Sequence, residues 1–522
     1  MDCIESSPAE TTRWSVIDWF AILAICLSPA LVCFYPKNFD YDMAILWEAA
    51  YRVSFGQIPY TDFGIPVGPV SILPAIVADV LLPNNLDNVR IASTIIGVCG
   101  TTLFAAILVI LACPRGAIFL GTAAFALLYA DDLVFPWYNN IAFVCTLGAI
   151  FFVLLSASME NAFRRFSLLV LAGAFCAGAI LSKQDYGGLT VLLLGPLYLV
   201  SRRPGFADAA SGSVAAIIGL AVPLLVCLWI FNQADFLYWF NYGQSPHSAR
   251  VDQFYLLDYR SPWLRTKIAM LILLSLLYFI SPADHQKPAR AVVALSLLAV
   301  SIVVGQTSGR SVQTTTFYIA VAIAFCYTEL WAWTSRADNS RSHWLPAGMA
   351  AVFVLATPVV PPVLALMLYV LNPGHPLGVG EIRADRAGLP AFGRIYLPKE
   401  AADGLRETER NFRAMPRSSI TAPVCPLLNM SEYAPIYADL HLEPCRGWPL
   451  WFDEKVAFFP RERSRLIEMI NAEQIATILV QVQSGTSEHA SLLASLRRSY
   501  DLKLEFPGPR RLSTVFVFAR RS

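Results

Sequence analysis

Long apolar runs, separated by short polar loops, dominate this chain. Inside a bilayer no water satisfies a backbone N–H or C=O, so a crossing apolar run forms a helix, whose hydrogen bonds all lie within the segment. A helix needs roughly 20 residues to cross the hydrocarbon core, and most of these runs approach that length. The pattern therefore predicts a polytopic α-helical membrane protein.

The composition agrees with a bilayer environment. Charged residues are 15% of the chain and mean hydropathy is +0.53, whereas a soluble chain of this size needs a more polar surface. The net charge of +1 gives no global basic field, so nucleic acid is not expected as a partner. The N-terminus, MDCIESSPAETTRWSVIDW, lacks a basic region and a small-residue cleavage site. We therefore interpret the first apolar segment as a retained span.

We predict about eleven membrane spans. They lie near residues 15–35, 91–112, 116–131, 141–158, 166–182, 186–200, 211–231, 267–281, 291–306, 315–334 and 345–371. One further apolar run, Val67–Leu82, is short for a span and is interrupted by Pro74 and Asp79. We interpret this run as a helix that lies in the membrane interface.

The basic loops test that interpretation, because cytoplasmic loops carry an excess of lysine and arginine. If Val67–Leu82 does not cross, all of these loops lie on the side of the N-terminus: Arg115, Arg164–Arg165, Arg202–Arg203, Lys287–Arg290 and Arg336–Arg341. We therefore place the N-terminus in the cytoplasm. The outer face then carries the first loop (36–90), Asp131–Asn140, Lys183–Gly188, 232–266, Gly305–Thr314 and the tail from Asn372 onward.

The chain changes character after residue 371, where charge increases and long apolar runs end. Periodicity predicts helices over Arg461–Ile470 and Glu488–Ser499, and strands over Ile475–Val482, Leu502–Phe506 and Thr514–Ala519. This alternation predicts a small α/β domain over residues 372–522, following a membrane domain over residues 1–371.

Cysteine usage fits an extracytoplasmic tail. Nine of the 11 cysteines precede the tail, mostly in apolar spans, where a thiol behaves as a small hydrophobe. The tail holds Cys425 and Cys445, and such an isolated pair predicts a disulfide, with two buried thiols as the alternative. The bond would close a loop of about twenty residues, for which the chain-entropy model gives roughly 3 kcal/mol. The chain has no CxxC, HExxH or Cys/His cluster, so no metal site is predicted, although paired aspartates can hold a divalent ion.

Carboxylates cluster in the loop after the first span. The segment Asn38–Pro69 contains Asp40, Asp42, Glu48 and Asp62. A carboxylate at the membrane surface can act as a general base toward a hydroxyl, and a nearby cation can neutralise a phosphate leaving group. The predicted outer face offers the cations Lys37, Lys183, Arg250 and Arg310. The chain contains neither GxxxxGK[ST] nor GxGxxG, so soluble-nucleotide chemistry is not expected.

The order of these elements resembles the GT-C superfamily of membrane glycosyltransferases, and in particular its bacterial branch related to protein mannosyltransferases and lipid A aminoarabinose transferases. The local match is YDMAILWEAAYRVSFGQIPYTDF followed by GP, which resembles the first-loop pattern of that family. The turn LSKQDYGG resembles the family's Leu-Thr-Lys-Gly turn. The topological resemblance covers residues 1–371, and the tail resembles the α/β domain often appended to such enzymes.

The resemblance implies an inverting transfer of a sugar from a polyprenyl-phosphate donor. The acceptor would be a hydroxyl of a lipid-linked glycan, a lipid or a cell-envelope polysaccharide on the outer face of a bacterial cytoplasmic membrane. A first-loop aspartate acts as the base and no cofactor is required. Asp42 matches that aspartate best by position, Asp40 is its rival, and Asp62 is a further candidate. The chain departs from the family at Met43, where a glutamate is usual, and DDLVFPWYNN replaces a Thr-Asp-Met-Pro turn, which leaves Asp131 and Asp132 unmatched.

Other outer-face residues are assigned by their chemistry. The donor phosphate is predicted to contact Lys183, Arg310 and Arg250, and the sugar or acceptor to contact Trp137, Tyr138, Asn139 and His247. Structural alternatives stand beside these roles. Lys183 could snorkel from a span end, Arg310 could anchor at the interface, the aromatic residues could form an interfacial belt, and Asp62 could cap a turn.

Two other function classes are weighed against a transferase. A transporter of lipid-linked glycans would carry charges within its spans or paired broken helices in matching halves, whereas the charges here sit at span ends. A membrane scaffold or receptor would bind its ligand through the tail, and the carboxylate-rich first loop speaks against it. Loss of sugar transfer in Asp42→Asn with intact expression would identify the transferase.

Overall fold

A bundle of apolar helices is followed by a mixed α/β segment in the computed structural model of the chain. The structure describes residues 14–34, 39–82, 84–132, 137–231, 233–240, 262–307, 317–335, 380–415, 424–452, 457–483, 490–509 and 512–521. The helices of the first part are α1 (Val16–Leu27), α2 (Tyr41–Ser54), α3 (Pro69–Leu81), α4 (Asp87–Ile110), α5 (Arg115–Asp132), α6 (Tyr138–Ala157), α7 (Ala162–Ile180), α8 (Gln184–Arg202), α9 (Phe206–Ile230), α10 (Gln233–Trp239), α11 (Pro262–Ile280), α12 (Lys287–Thr307) and α13 (Phe317–Ser335). A 3₁₀ helix, Ser28–Phe34, continues α1.

The helices follow the apolar runs of the sequence. Each predicted span from 15–35 to 315–334 corresponds to a helix, and the span predicted near 345–371 lies outside the described residues. Within the described part, 5 helices are long and apolar enough to cross a bilayer: α4, α6, α7, α9 and the 287–304 part of α12. Val67–Leu82 forms the shorter helix α3, with Pro74 inside it. The chain is a polytopic helical protein.

Glycines bring α7 and α9 into backbone contact. A Cβ atom added to Gly173 would collide with the carbonyl oxygen of Ala216, and one added to Gly219 would collide with the carbonyl oxygen of Val170. Small residues of this kind let membrane helices approach closely, because dispersion contacts rather than the hydrophobic effect hold them together. The two helices therefore pack without a gap along these positions.

The C-terminal segment is built around a four-stranded sheet. Its helices are α14 (Lys399–Ala414), α15 (Ile436–Asp439), α16 (Pro460–Asn471) and α17 (Ala490–Ser499). The strands of the chain are β1 (Phe63–Gly64), β2 (Glu381–Arg383), β3 (Tyr396–Pro398), β4 (Cys425–Met430), β5 (Trp448–Pro449), β6 (Ile475–Gln483), β7 (Tyr500–Pro507) and β8 (Ser513–Arg520). The sheet has the order β4-β6-β8-β7, with β4 and β6 parallel and the other pairs antiparallel.

The tail confirms most of what its sequence predicts. The two helices and three strands expected between residues 461 and 519 are present, while α14, α15, β4, β5 and the β2–β3 pair were not predicted. Cys425 and Cys445 form the predicted disulfide, with their Cα atoms 5.5 Å apart. The proposed boundary at residue 371 lies outside the described residues.

One buried apolar cluster joins the first loop, several helix ends and the C-terminal segment. Its members include Met43, Trp47, Trp137, Tyr138, Leu181, Phe240, Phe392, Tyr433 and Leu450. Backbone hydrogen bonds join the same segments. β1 pairs with β5, Phe39 N donates to Tyr396 O at 3.2 Å, and Val70 N donates to Leu181 O at 3.2 Å. The described parts of several segments that the sequence assigns to one face thus meet at one end of the bundle, here called the loop end.

A buried ion pair ties α2 to the C-terminal segment. Arg52 and Glu48 are 1% and 5% exposed, and Arg52 Nη2 lies 2.7 Å from Glu48 Oε1. Arg52 Nη1 donates to Gln57 Oε1 at 3.2 Å and to the carbonyl oxygen of Cys445 at 2.8 Å. Burial raises the pKa of the Glu48 carboxyl, and the neighbouring guanidinium opposes that rise. The further hydrogen bonds of Arg52 offset part of the cost of burying the two charges.

We expect Arg52→Leu to destabilise the protein strongly, since it leaves the Glu48 carboxylate buried without its counter-ion. Breaking a buried pair in this way typically costs about 3–5 kcal/mol. The apparent melting midpoint of the detergent-solubilised protein should fall, and Glu48→Leu combined with Arg52→Leu should recover part of the loss. Arg446→Leu, at a half-exposed arginine on the same surface, is the control and should change the midpoint little. Equal effects at the two arginines would contradict this role of Arg52.

A second prediction concerns Asp439, a carboxyl buried at 6% exposure in α15. Its Oδ1 accepts a hydrogen bond from Ala391 N at 2.8 Å, and burial raises its pKa to about 7. The pKa of an aspartate in the unfolded chain is about 3.9, so the folded state binds the proton more tightly. The stability contributed by this group is full below pH 4 and is lost as the pH rises through 7.

Asp439→Asn should therefore be more stable than the parent protein at pH 8 and similar to it at pH 4. Melting midpoints across that range measure the difference. Asp385→Asn should behave oppositely, because a hydrogen bond from Arg383 lowers the pKa of Asp385, and its contribution is lost as the pH falls. A parent and an Asp439→Asn variant with the same pH profile would refute the assignment.

Candidate active site

Asp40 and Asp42 lie at the N-terminus of α2, at the loop end of the bundle. Asp40 is the N-cap residue, with extended backbone, and its Oδ1 accepts a hydrogen bond from Asp42 N at 2.9 Å. Asp42 follows in the first turn and is partly exposed, whereas the next residues, from Met43 to Tyr51, are buried. A helix N-terminus stabilises negative charge. The capping bond gives Asp40 a structural role, and the rigid helix holds the Asp42 carboxylate at a fixed place.

Asp62 is held in the turn that follows α2. Its Oδ2 accepts a hydrogen bond from Ile58 N at 2.8 Å, and its Oδ1 lies 3.5 Å from Arg446 Nη1. Tyr60 in the same turn has a φ of 67°. These contacts agree with the turn-capping alternative and also connect the first loop to the C-terminal segment.

Lys183 points into the protein. It is the N-cap residue of α8 and is 3% exposed. Its Nζ lies 3.2 Å from Asp185 Oδ2, 3.5 Å from Val304 O and 5.8 Å from the ring centre of Tyr138. A snorkelling lysine would place its ammonium in water, so the burial of Lys183 disfavours that alternative.

Lys267 is a second buried lysine near Lys183, and the sequence analysis missed it. It is 5% exposed, its Nζ donates to Ser301 O at 3.1 Å, and it lies 5.1 Å from the ring centre of Tyr318. Ser301 and Val304 are one turn apart on α12, so this helix receives both ammonium groups near its C-terminal end. Closely placed cations of this kind suit a phosphate. In the sequence, this lysine stands at the edge of an apolar run. An ionisable residue in a membrane segment indicates a functional site by default, so this position could have been predicted.

The predicted sugar-binding residues begin α6. Trp137 is its N-cap residue, and the Trp137 ring centre lies 4.9 Å from that of Tyr138 and 6.0 Å from that of Trp451 in the C-terminal segment. Asn139 and the following Asn140 are fully buried. The structure thus places Tyr138 beside Lys183, with Trp137 and Asn139 as its neighbours in the chain. Arg250, His247 and Arg310 lie outside the described residues.

The described residues contain no group of three or more His, Cys, Asp or Glu side chains that could hold a metal ion. Asp131 and Asp132 end α5. The absence of a metal from the reaction stays a prediction. The groups that the loop end does bring together are a carboxylate on a rigid helix, buried cations, aromatic rings and amides, which can together serve a base-assisted displacement of a phosphate.

Comparison with known proteins gives a structural match across nearly the whole chain. No family model and no curated protein matches the chain. The crystal structure of ArnT from Cupriavidus metallidurans bound to undecaprenyl phosphate aligns with a TM-score of 0.57 and 13% identity, over 97% of this chain and 98% of that chain. ArnT is a lipid A aminoarabinose transferase.

Two further solved structures align at a TM-score of 0.45. They are apo ArnT from Cupriavidus metallidurans, at 15% identity over 96% of this chain and 97% of that chain, and the Archaeoglobus fulgidus oligosaccharyltransferase in complex with zinc and sulfate, at 11% identity over 96% of this chain and 73% of that chain. Of the three alignments, the one with undecaprenyl-phosphate-bound ArnT has the highest TM-score, and it covers both the helical bundle and the C-terminal segment. The chain therefore shares the fold of the undecaprenyl-phosphate-bound ArnT structure.

Proposed function

We propose that the chain is a GT-C-type membrane glycosyltransferase that moves a sugar from a polyprenyl-phosphate donor to an acceptor hydroxyl, with inversion. One observation supports the proposal: the start of the Asp42 helix and the buried Lys183 and Lys267 all lie toward the loop end of a bundle that has the fold of ArnT, which was solved with undecaprenyl phosphate. The acceptor is a hydroxyl of a lipid-linked glycan, a lipid or a cell-envelope polysaccharide.

In this mechanism Asp42 is the general base. Its carboxylate takes the proton of the acceptor hydroxyl as that oxygen attacks the anomeric carbon of the donor sugar. The bond between the anomeric carbon and the phosphate oxygen breaks at the same time, and the phosphate leaves with the electron pair. A single displacement from the opposite face inverts the anomeric configuration. The reaction needs no cofactor.

The lysines stabilise the leaving group. Negative charge on the phosphate increases as the glycosidic bond breaks, so fixed cations act most strongly in the transition state. Carbonyl oxygens of α12 accept hydrogen bonds from Lys183 and Lys267, which fixes the position of both amino groups before the donor arrives. We assign Arg310 and Arg250 to the same phosphate and His247 to the acceptor, from their positions in the outer loops.

We propose that the loop end faces the outside of a bacterial cytoplasmic membrane. The N-terminus would then be cytoplasmic and the C-terminal domain, residues 372–522, extracytoplasmic. The contacts between the first loop and the C-terminal segment support a common side for both, and the Cys425–Cys445 disulfide fits an oxidising compartment.

Asp42→Asn should lower the rate of sugar transfer by about 10²–10⁴-fold, the usual loss for a general base. Asp40→Asn is the matched control, because asparagine caps a helix as well as aspartate does, and it should retain most of the activity. Transfer of radiolabelled sugar in vesicles, normalised to protein in the membrane, measures both. If Asp42→Asn is active and Asp40→Asn is dead, the base is Asp40. If both variants are active, the general base lies elsewhere in the chain.

Lys183→Met and Lys267→Met should each weaken binding of undecaprenyl phosphate by about tenfold to a hundredfold, because hydrogen bonds to charged groups are worth about 1.5–3 kcal/mol. Titration of the purified protein with the lipid measures the change. The control is Lys287→Met, a lysine at the start of α12 that donates to Ser281 O. Unchanged affinity in both buried-lysine variants would contradict a phosphate site between them.

A further inference from the structure

Two adjacent asparagines at the start of α6 are buried without hydrogen-bond partners. Asn139 and Asn140 have no exposed surface, and neither the amide nitrogen nor the amide oxygen of either side chain has a partner among the described residues. The buried Asn88, by contrast, donates to Asp79 Oδ1 at 3.3 Å. Buried polar groups without partners are rare, because burial removes their bonds to water and returns nothing.

Neither asparagine is needed to form the helix. Asparagine has a weaker helix propensity than leucine or alanine, and the N-cap residue of α6 is Trp137, which makes no side-chain capping bond. Thr146, further along α6, satisfies its hydroxyl on Ala142 O and Thr190, so the helix can pair polar groups where they are structural. The two unpaired amides therefore point to a ligand absent from the folded chain itself.

The neighbours of these amides define where that ligand lies. Tyr138, the preceding residue, is 5.8 Å from the ammonium of Lys183. Trp137 contacts Tyr138 and Trp451. Asn139 and Asn140 thus lie in the first turn of α6 at the loop end, directly after the tyrosine whose ring faces the lysine assigned to the donor phosphate.

We propose that Asn139 and Asn140 bind the hydroxyl groups of the donor sugar, an inference that rests on the proposed glycosyltransferase function. An amide donates through its nitrogen and accepts through its oxygen. A sugar hydroxyl also donates and accepts, so it can satisfy both atoms. A phosphate only accepts and would leave the amide oxygens unpaired, whereas the lysines suit it well. The pair therefore selects an uncharged, hydroxyl-bearing face of the sugar, and the aromatic rings cover its apolar side.

Stability of the lipid-free protein separates this role from a structural one. Asn139→Leu and Asn140→Leu remove polar atoms that have no partner, so the melting midpoint should stay unchanged or rise. Asn88→Leu is the control and should lower the midpoint, since it breaks the bond to Asp79. If Asn139→Leu and Asn140→Leu lower the midpoint as Asn88→Leu does, the amides are structural groups paired with buried water, and the proposal fails.

Binding tests the ligand itself. The probes are undecaprenyl phosphate and a set of undecaprenyl-phosphate hexoses and pentoses, titrated into the full-length protein. For the best sugar, the parent protein should bind the glycosylated lipid more tightly than the free carrier. The two leucine variants should lose at least about tenfold of that preference while keeping the affinity for undecaprenyl phosphate.

The outcomes distinguish this inference from the proposed function. If the parent protein prefers a glycosylated lipid and both variants keep the full preference, the amide assignment is wrong and the transferase proposal stands. If the parent binds the carrier without preference for any attached sugar, sugar recognition at Asn139 and Asn140 is overturned. If the parent binds none of these lipids, the proposed function itself fails. If a donor analogue that lacks one hydroxyl binds the parent protein and one of the leucine variants with equal affinity, that hydroxyl is the one that the replaced asparagine contacts.

Discussion

The guanidinium of Arg52 is the contact on which the geometry of the loop end depends. It belongs to α2, the helix that begins with Asp40 and Asp42, and it reaches the backbone of Cys445 nearly four hundred residues later in the chain. Because Glu48 and Gln57 bind the same guanidinium, the charge is satisfied on every side that the structure shows. An unsatisfied charge at this depth would be costly. The helix that bears the candidate base is therefore positioned by the C-terminal segment as much as by the membrane spans.

The disulfide extends this constraint into the sheet. Cys445 accepts the Arg52 hydrogen bond through its carbonyl, and its sulfur is bonded to Cys425 at the start of β4. β1 of the first loop pairs with β5, only three residues beyond Cys445. Asp62 adds a contact to Arg446 between these two points. The first loop is thus fixed to a covalently closed part of the tail by polar contacts, in addition to the packing of its own buried apolar residues.

Much of the fold could be predicted because hydropathy and periodicity are local signals. The apolar runs predict the spans, Pro74 and Asp79 mark α3 as different, and the tail alternation predicts β6, α17, β7 and β8. The disulfide follows from an isolated pair of cysteines. Helix α14 was not predicted although it is strongly amphipathic.

The site was harder to predict because its members meet only in three dimensions. Arg52 looks like an ordinary helix-surface arginine until the tail covers it. Lys267 stands at the edge of an apolar run, where a span-end lysine and an inward-facing one look alike in sequence. Asn139 was predicted as a sugar-binding residue from its place in an outer loop. Only the structure shows that the Asn140 side chain is likewise buried without a hydrogen-bond partner among the described residues. Lys183 was predicted, and its inward direction comes from contacts with α6 and α12.

The glycine contacts between α7 and α9 have a consequence for lipid traffic. Backbone lies against backbone at Gly173 and Gly219, so no acyl or isoprenoid chain can pass between these helices at that depth. Much of α9 faces away from the other helices, since only 17% of its most apolar stretch is buried. This side of the bundle therefore presents a closed surface to the bilayer. Any lipid chain that enters the interior of the bundle from the membrane must therefore pass between other helices, so the close packing of α7 and α9 restricts the directions of entry.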